Sequence, residues 1–301
     1  MIAIVIRRTH DTLRSSSASW PTQPIARGIA VGLSVALLVL SFGVVSRSFA
    51  AADDSQDKAA APDDKLRPAS LVRIRLPITG DADRLLERKL ERARDRLLAQ
   101  ALQAKDARRP LLVLQIEPSP GAPDAGDGTQ FERASALANY VSQIRDVKTV
   151  AWVPETIRGH GVLVALACED LVMAPNAEIG EAGADEEGVV PASTIQKYRE
   201  IAGDLGLNID NALAVAMVDP SAEVIRVQSE EGVRFLLRDQ LPEYRRDHEI
   251  IDEQVLVPAG SLARFTGREG REYGFVKYLA ADRADLAKRL DVSPESLEED
   301  D

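Results

Sequence analysis

The run Leu111–Ile116 (LLVLQI) constrains this chain more than any other stretch of it. A strand that is apolar at nearly every position has no wet face, so it belongs in the interior of a sheet that is covered on both sides. Its neighbours in sequence supply the cover. Leu85, Leu86, Leu90, Ala93, Leu97 and Leu98 recur at helical spacing through Asp81–Ala104, with Arg and Glu between them, and Phe131, Ala134, Leu137, Ala138, Val141 and Ile144 mark a second amphipathic helix. Val72–Leu76 (VRIRL) alternates apolar and charged residues, as a strand with one wet face does, and Lys148–Val153 (KTVAWV) reads as a third strand. After the loop Pro154–His160, an apolar helix spans Gly161–Cys168, and Leu171–Met173 and Glu178–Gly180 read as short extended pieces. This alternation calls for an α/β fold with parallel strands joined by right-handed crossovers.

The second half predicts helices over Thr194–Asp204 and Asp210–Val218, then strands Val224–Val227 and Val233–Leu237 as an added hairpin. Gly260–Gly274 and Val276–Leu279 carry a loop, a short helix and a strand, and Asp282–Leu290 a last helix. We read a single folded domain over residues 70–290, with a flexible Ala/Asp/Pro-rich linker over 51–69 and an acidic tail over 291–301. Residues 1–50 read as an export segment. Arg7, Arg8, Arg14 and Arg27 precede an uncharged, apolar stretch at residues 28–45, and Ser48 and Ala50 follow at signal-peptidase spacing. That stretch is just long enough to span a bilayer, so it is either a cleaved signal or a retained anchor. Basic residues on its N-terminal side place the remainder outside the cytoplasm in both cases, in the periplasm or an equivalent compartment.

Acidic residues outnumber basic ones 48 to 37, for a net charge of −11, and no basic run stands out, so a nucleic acid is not an expected partner. The one cysteine, Cys168, rules out an intrachain disulfide and reads as a small buried apolar residue.

Three ordered stretches, LLVLQIEPSPG (Leu111–Gly121), TVAWVPETIRGHGVLVALACEDLVMAPNAEIGEAG (Thr149–Gly183) and LARFTGREGREYGFVKYL (Leu262–Leu279), resemble the ClpP/crotonase superfamily. The resemblance is strongest to the NfeD and signal-peptide-peptidase class of membrane-associated serine proteases. It implies a spiral of parallel strands covered by helices and assembly into trimers or rings. It also implies a serine nucleophile at a helix start, where the helix dipole favours a developing anion, with backbone N–H donors on a neighbouring glycine turn and a lysine base from a later helix.

Counting back from Met173-Ala174-Pro175 puts Gly159 at the serine position, so that nucleophile is missing. His160 beside it reads as a general base or ligand, or, more commonly for such a residue, as a loop histidine satisfied by its surroundings. Gly121 and Gly161 stand where an oxyanion-like turn is expected, with Gly126 and Gly128 nearby. Gly159 and Gly161 also suit a close backbone approach or a tight helix start. Lys197 is the nearest lysine to the expected base. Ser193 stands four residues before it, a helical spacing that more often marks a surface contact. Ser119 is the first candidate for a replacement nucleophile. Glu181, Asp185, Glu186 and Glu187 read as a solvated acidic loop rather than a Ca²⁺ site. No cofactor and no metal are expected.

The leading expectation is a catalytically inactive envelope protein that binds a peptide or a partner protein through the remnant groove. It would assemble with further copies of itself and contact the membrane through residues 28–45 if these are retained. A working peptidase with a different nucleophile is the second reading. A crotonase-type acyl-CoA enzyme is the third, and export argues against it because acyl-CoA is a cytoplasmic substrate.

Overall fold

The computed structural model describes residues 66–298 other than 123, 187 and 208. The export segment and nearly all of the expected linker lie outside the described residues. Among the described residues, no helix is long and apolar enough to cross a membrane.

The α/β architecture expected from the sequence is what the chain adopts. Strands β1 (Ala69–Leu76), β2 (Leu111–Pro118), β3 (Lys148–Val153), β4 (Asp170–Met173) and β10 (Tyr278–Leu279) form one sheet in that order, and every pairing is parallel. One face carries Val72, Ile74 and Leu76 of β1, Leu112, Leu114 and Ile116 of β2, and Ala151 and Val153 of β3. It packs on α1 (Ala82–Ala104) through Leu90, Ala93 and Leu97, and on α2 (Phe131–Gln143) through Ala134, Leu137, Ala138 and Val141. The other face, with Leu71, Val113, Val150, Trp152 and Val172, is covered by α8 (Arg283–Leu290) through Leu286, Ala287 and Leu290. Both faces are therefore covered over the apolar run of β2, as that run requires, while Arg73 and Arg75 keep one face of β1 polar, as its alternation implies.

Two boundaries differ from expectation. Ala69, placed in the linker, already belongs to β1. The acidic tail is not simply a solvated appendage, because Val292 and Leu297 are buried against the second face of the sheet. Two apolar residues among Glu and Asp carry no periodicity, yet each fills a gap beside α8.

The second half adds α4 (Ala192–Glu200), α5 (Asn211–Val218) and a small antiparallel sheet. The helix expected over Thr194–Asp204 stops at Glu200 and widens into a π-helical turn over Ile201–Leu205. The expected hairpin is present as β6 (Val224–Ser229) and β7 (Gly232–Leu237), but β6 also pairs with β8 (Ile250–Val257). Between them α6 (Leu241–Asp247) covers Ile225 and Val227 with Leu241 and Tyr244. Strands β5 (Glu178–Gly180) and β9 (Arg264–Thr266) pair antiparallel, and α7 (Gly267–Glu272) starts from a capping box between Thr266 and Glu269.

Arg94 on α1 grips Asp146, just before β3, with Nε at 2.9 and 2.8 Å from the two carboxylate oxygens. This hydrogen bonding holds the Asp146 carboxyl below its ordinary pKa. A carboxylate with a lowered folded-state pKa adds stability above its unfolded pKa and loses that contribution as pH falls through the folded one. Asp146→Asn should therefore lower stability at pH 7 and flatten the loss between pH 5 and pH 3, as read by urea denaturation. An unchanged acid slope would refute the coupling.

Candidate active site

The carboxyl ends of β1, β2 and β3 feed the loops that hold the residues singled out in the sequence. Parallel α/β sheets present their ligand sites at this end. After β2, Ser119-Pro120-Gly121-Ala122 closes a turn in which the Ala122 N–H donates to the Ser119 carbonyl at 2.8 Å, with Gly121 at φ +78°. Proline at the second position and a glycine of positive φ at the third are what a type II turn demands.

After β3, the chain runs through Ile157, Arg158 and Gly159 into a 3₁₀ turn (Gly159–Gly161) and then α3 (Val162–Leu166). Three successive backbone donors in this approach are already engaged. The N–H groups of Ile157, Arg158 and Gly159 donate to the carbonyls of Glu178, Ala125 and Glu181, at 2.9, 3.1 and 3.3 Å. Gly159 is buried and sits at φ +68°, in the left-handed region that side-chain-bearing residues rarely occupy. Arg158 Nε lies 2.6 Å from Glu181 Oε2, which ties the same segment to the start of the next turn.

Gly161 has a packing role. A Cβ built on it would lie 2.6 Å from Leu76 Cδ2, and one built on Gly126 would lie 2.6 Å from Leu76 Cβ. The end of β1 is thus wedged between two glycines, one on each loop. Of the two readings open for Gly161, close backbone approach is the one this geometry supplies. Gly121 lines a separate cavity of about 610 Å³ with Arg75, Glu117, Ser119, Glu155 and Thr156. Gly121 thus borders a cavity, while Gly161 packs against Leu76.

His160 is 2% exposed and lies under a cavity of about 500 Å³ formed by Gly128–Glu132, Glu186, Pro191, Ser193 and Thr194. Its Nε2 lies 3.1 Å from Glu186 Oε1, and its Nδ1 lies 3.3 Å from the hydroxyl of the fully buried Tyr198. Both ring nitrogens therefore face a hydrogen-bonding group, and which of them donates depends on the tautomer. Phe131 packs edge-on against the ring, with centroids 5.2 Å apart. A general base must offer a free lone pair to the proton it removes. Here each ring nitrogen already faces a partner, Glu186 or Tyr198.

The remaining candidates are dispersed. Lys197 Nζ bonds Glu200 Oε2 at 3.1 Å, one turn along α4, so it forms a surface ion pair rather than a dyad with Ser193. Ser193 lines the cavity above His160, whereas Ser119 lines the separate cavity on the Gly121 side. Glu181 is held by Arg158, and Arg264 approaches it at 3.9 Å. Among the described residues, no group of three or more His, Cys, Asp or Glu side chains is placed to hold a metal ion. Cys168 is buried, its Sγ 3.7 Å from the Val164 carbonyl, and burial pushes its thiol far above the ordinary range. Glu186 and Tyr198, which orient His160, stand 26 and 38 residues away from it, and only Glu186 was noticed in the sequence, as one acid of a loop.

No family model matches the sequence, and no curated protein matches it. Solved structures do. A mutant of the 1510-N membrane-bound stomatin-specific protease is similar at 12% identity, over 77% of this chain and 91% of that one, with a TM-score of 0.42. Pseudomonas aeruginosa DspI is similar at 15% identity, over 77% and 75%, with a TM-score of 0.40. The enoyl-CoA hydratase EchA1 of Mycobacterium marinum is similar at 16% identity, over 75% and 70%, with a TM-score of 0.39. The likeness is one of chain arrangement, and no residue role comes with it.

Proposed function

We propose that this chain is a catalytically silent, extracytoplasmic relative of the ClpP/crotonase proteases that binds a peptide or protein segment at the carboxyl ends of its parallel sheet. One observation carries the reading. The position expected for the nucleophile is a buried glycine at positive φ, and the histidine beside it has its two ring nitrogens turned to Glu186 and Tyr198. The binding site would be the cavity over His160, whose volume and mix of an aromatic face with a few polar groups suit a side chain and its backbone.

Labelling with a fluorophosphonate probe tests the proposal. The native chain should remain unlabelled. Gly159→Ser should also remain unlabelled, because the new hydroxyl would sit in a strained backbone conformation beside an imidazole committed elsewhere. Labelling of the native chain that disappears in Ser119→Ala or Ser193→Ala would establish a working hydrolase and overturn the proposal. For binding, Ser193→Trp at the cavity mouth should weaken peptide affinity about tenfold or more, as measured by fluorescence anisotropy.

A further inference from the structure

The opposite end of the parallel sheet has a different character. Pro68 and Pro110, just before β1 and β2, accept hydrogen bonds from the N–H groups of Leu111 and Lys148, so the amino ends of β1, β2 and β3 are stitched together. Around this seam the fold gathers Arg67, Lys105, Arg108, Arg109 and Arg145. Arg67 donates through Nε to the Arg109 carbonyl, and Arg109 Nη1 reaches the Arg145 carbonyl at 3.1 Å. Lys148 and Lys277 share the carboxylate of Asp170 beside them, at 2.7 and 2.8 Å.

With Arg94 and its partner Asp146 just before β3 included, eight bases meet five acids, Asp106, Asp146, Glu169, Asp170 and Asp291, which leaves an excess of positive charge at this end of a chain whose net charge is −11. The excess acts on its own members. The Arg67 guanidinium is lowered from its ordinary pKa, first by burial and then by repulsion from Arg108 and Arg109. No basic run announced this in the sequence, because the five side chains around the seam come from three separate segments.

Two large apolar side chains are exposed at the same end. Leu66 adjoins Arg67 and is 52% exposed, and Leu102, three residues before Lys105, is 80% exposed. Residue 66 is also the first of the described chain. Only residues 46–65 separate it from the apolar stretch at 28–45, and twenty residues span at most about 70 Å when fully extended.

From this juxtaposition we infer that the amino end of the sheet, with Leu66 and Leu102 set among Arg67, Lys105, Arg108, Arg109 and Arg145, is a docking face for an anionic lipid surface. Basic side chains attract acidic headgroups, and isolated exposed leucines reach the acyl boundary. The two leucines favour a bilayer over a phosphate backbone in water. Docked this way, the chain would hold its carboxyl-end cavities away from the membrane, open to a partner. The inference does not depend on the proposed peptide binding.

The test uses the full chain carrying Leu102→Cys and an environment-sensitive fluorophore. Cys168 is buried, so the introduced thiol is the accessible one for labelling. Bilayers of phosphatidylcholine with and without phosphatidylglycerol are compared, with the protein reconstituted into them or added from solution. The fluorophore should shift to the blue with phosphatidylglycerol present. The fraction bound from solution should fall about tenfold or more in 0.5 M NaCl and in the Lys105→Glu/Arg145→Glu double variant. A label at Glu155→Cys, on the opposite end, should report water throughout. Equal signals with the two lipids, an equal response from the Glu155 label, or an equal response of the Leu102 label to duplex DNA would each overturn the assignment. Loss of peptide affinity in Ser193→Trp reads the other site and leaves this result independent.

Discussion

Gly180→Ala should abolish folding or cost the chain about 4 kcal/mol or more, measured as a fall in the urea midpoint, although it adds a single methyl group. Gly180 closes β5 opposite Arg264 at φ +147°. A Cβ there would lie 2.3 Å from the Ala263 carbonyl oxygen and 2.6 Å from Arg264 Cα. Both are backbone atoms of the paired strand, so no rotamer change relieves the overlap and β9 must move as a body. The next residue makes the movement expensive. The Glu181 N–H donates to the same Ala263 carbonyl at 2.8 Å, and the Glu181 carbonyl receives the Gly159 N–H. Parting β5 from β9 therefore loosens the turn that holds the start of α3. Gly121→Ala is the control. Its φ of +78° is also unfavourable to alanine, but nothing lies within 4 Å of the added carbon, so only the conformational strain of about 1–2 kcal/mol remains. Equal losses from the two variants would show that backbone conformation, and not the strand contact, sets the cost.

The difference between what the sequence disclosed and what it withheld follows the source of each signal. Strands β2 and β3 were legible because both faces are buried and every position reports it. The α1 and α2 helices were legible because one face is buried over several turns. Strand β8 (IIDEQVLV) was not, because only Val257 is fully buried and Asp252, Glu253 and Gln254 interrupt its apolar residues. It joins the sheet by backbone hydrogen bonds to β6, which leave little mark on residue choice. Helix α6 (LPEYRRD) buries only Leu241 fully and so shows no stripe. At the site, Gly159 and His160 could be found by their spacing from Met173-Ala174-Pro175. The partners of His160 could not, because Tyr198 reaches it across the fold from α4, where the aromatic residue reads as ordinary core. Its place one turn after the buried Thr194 is the one cue that it points inward. The basic end of the sheet was hidden for the same reason, since side chains distant in sequence meet only where the strands begin.

Leu76→Ala should destabilise the chain by about 3–5 kcal/mol, near the upper end for removing a buried leucine. The cost of such a cavity depends on how well its walls can collapse, and here two walls are Gly126 and Gly161, which have no side chains to swing inward. Gly161→Ala alone should cost about 1–3 kcal/mol, because its methyl would meet Leu76 Cδ2 at 2.6 Å and force the leucine out of place. The two changes should not add. In the double variant the Gly161 methyl points into the space that Leu76 has vacated, so the overlap disappears and part of the void is filled. Its stability should match or slightly exceed that of Leu76→Ala, so the coupling is at least the cost of about 1–3 kcal/mol that Gly161→Ala carries alone, read from urea denaturation of the native chain, both single variants and the double. Simple additivity would mean that β1 and the start of α3 are not in direct contact through this side chain. The wedge that positions Gly159 and His160 would then have to be sought elsewhere.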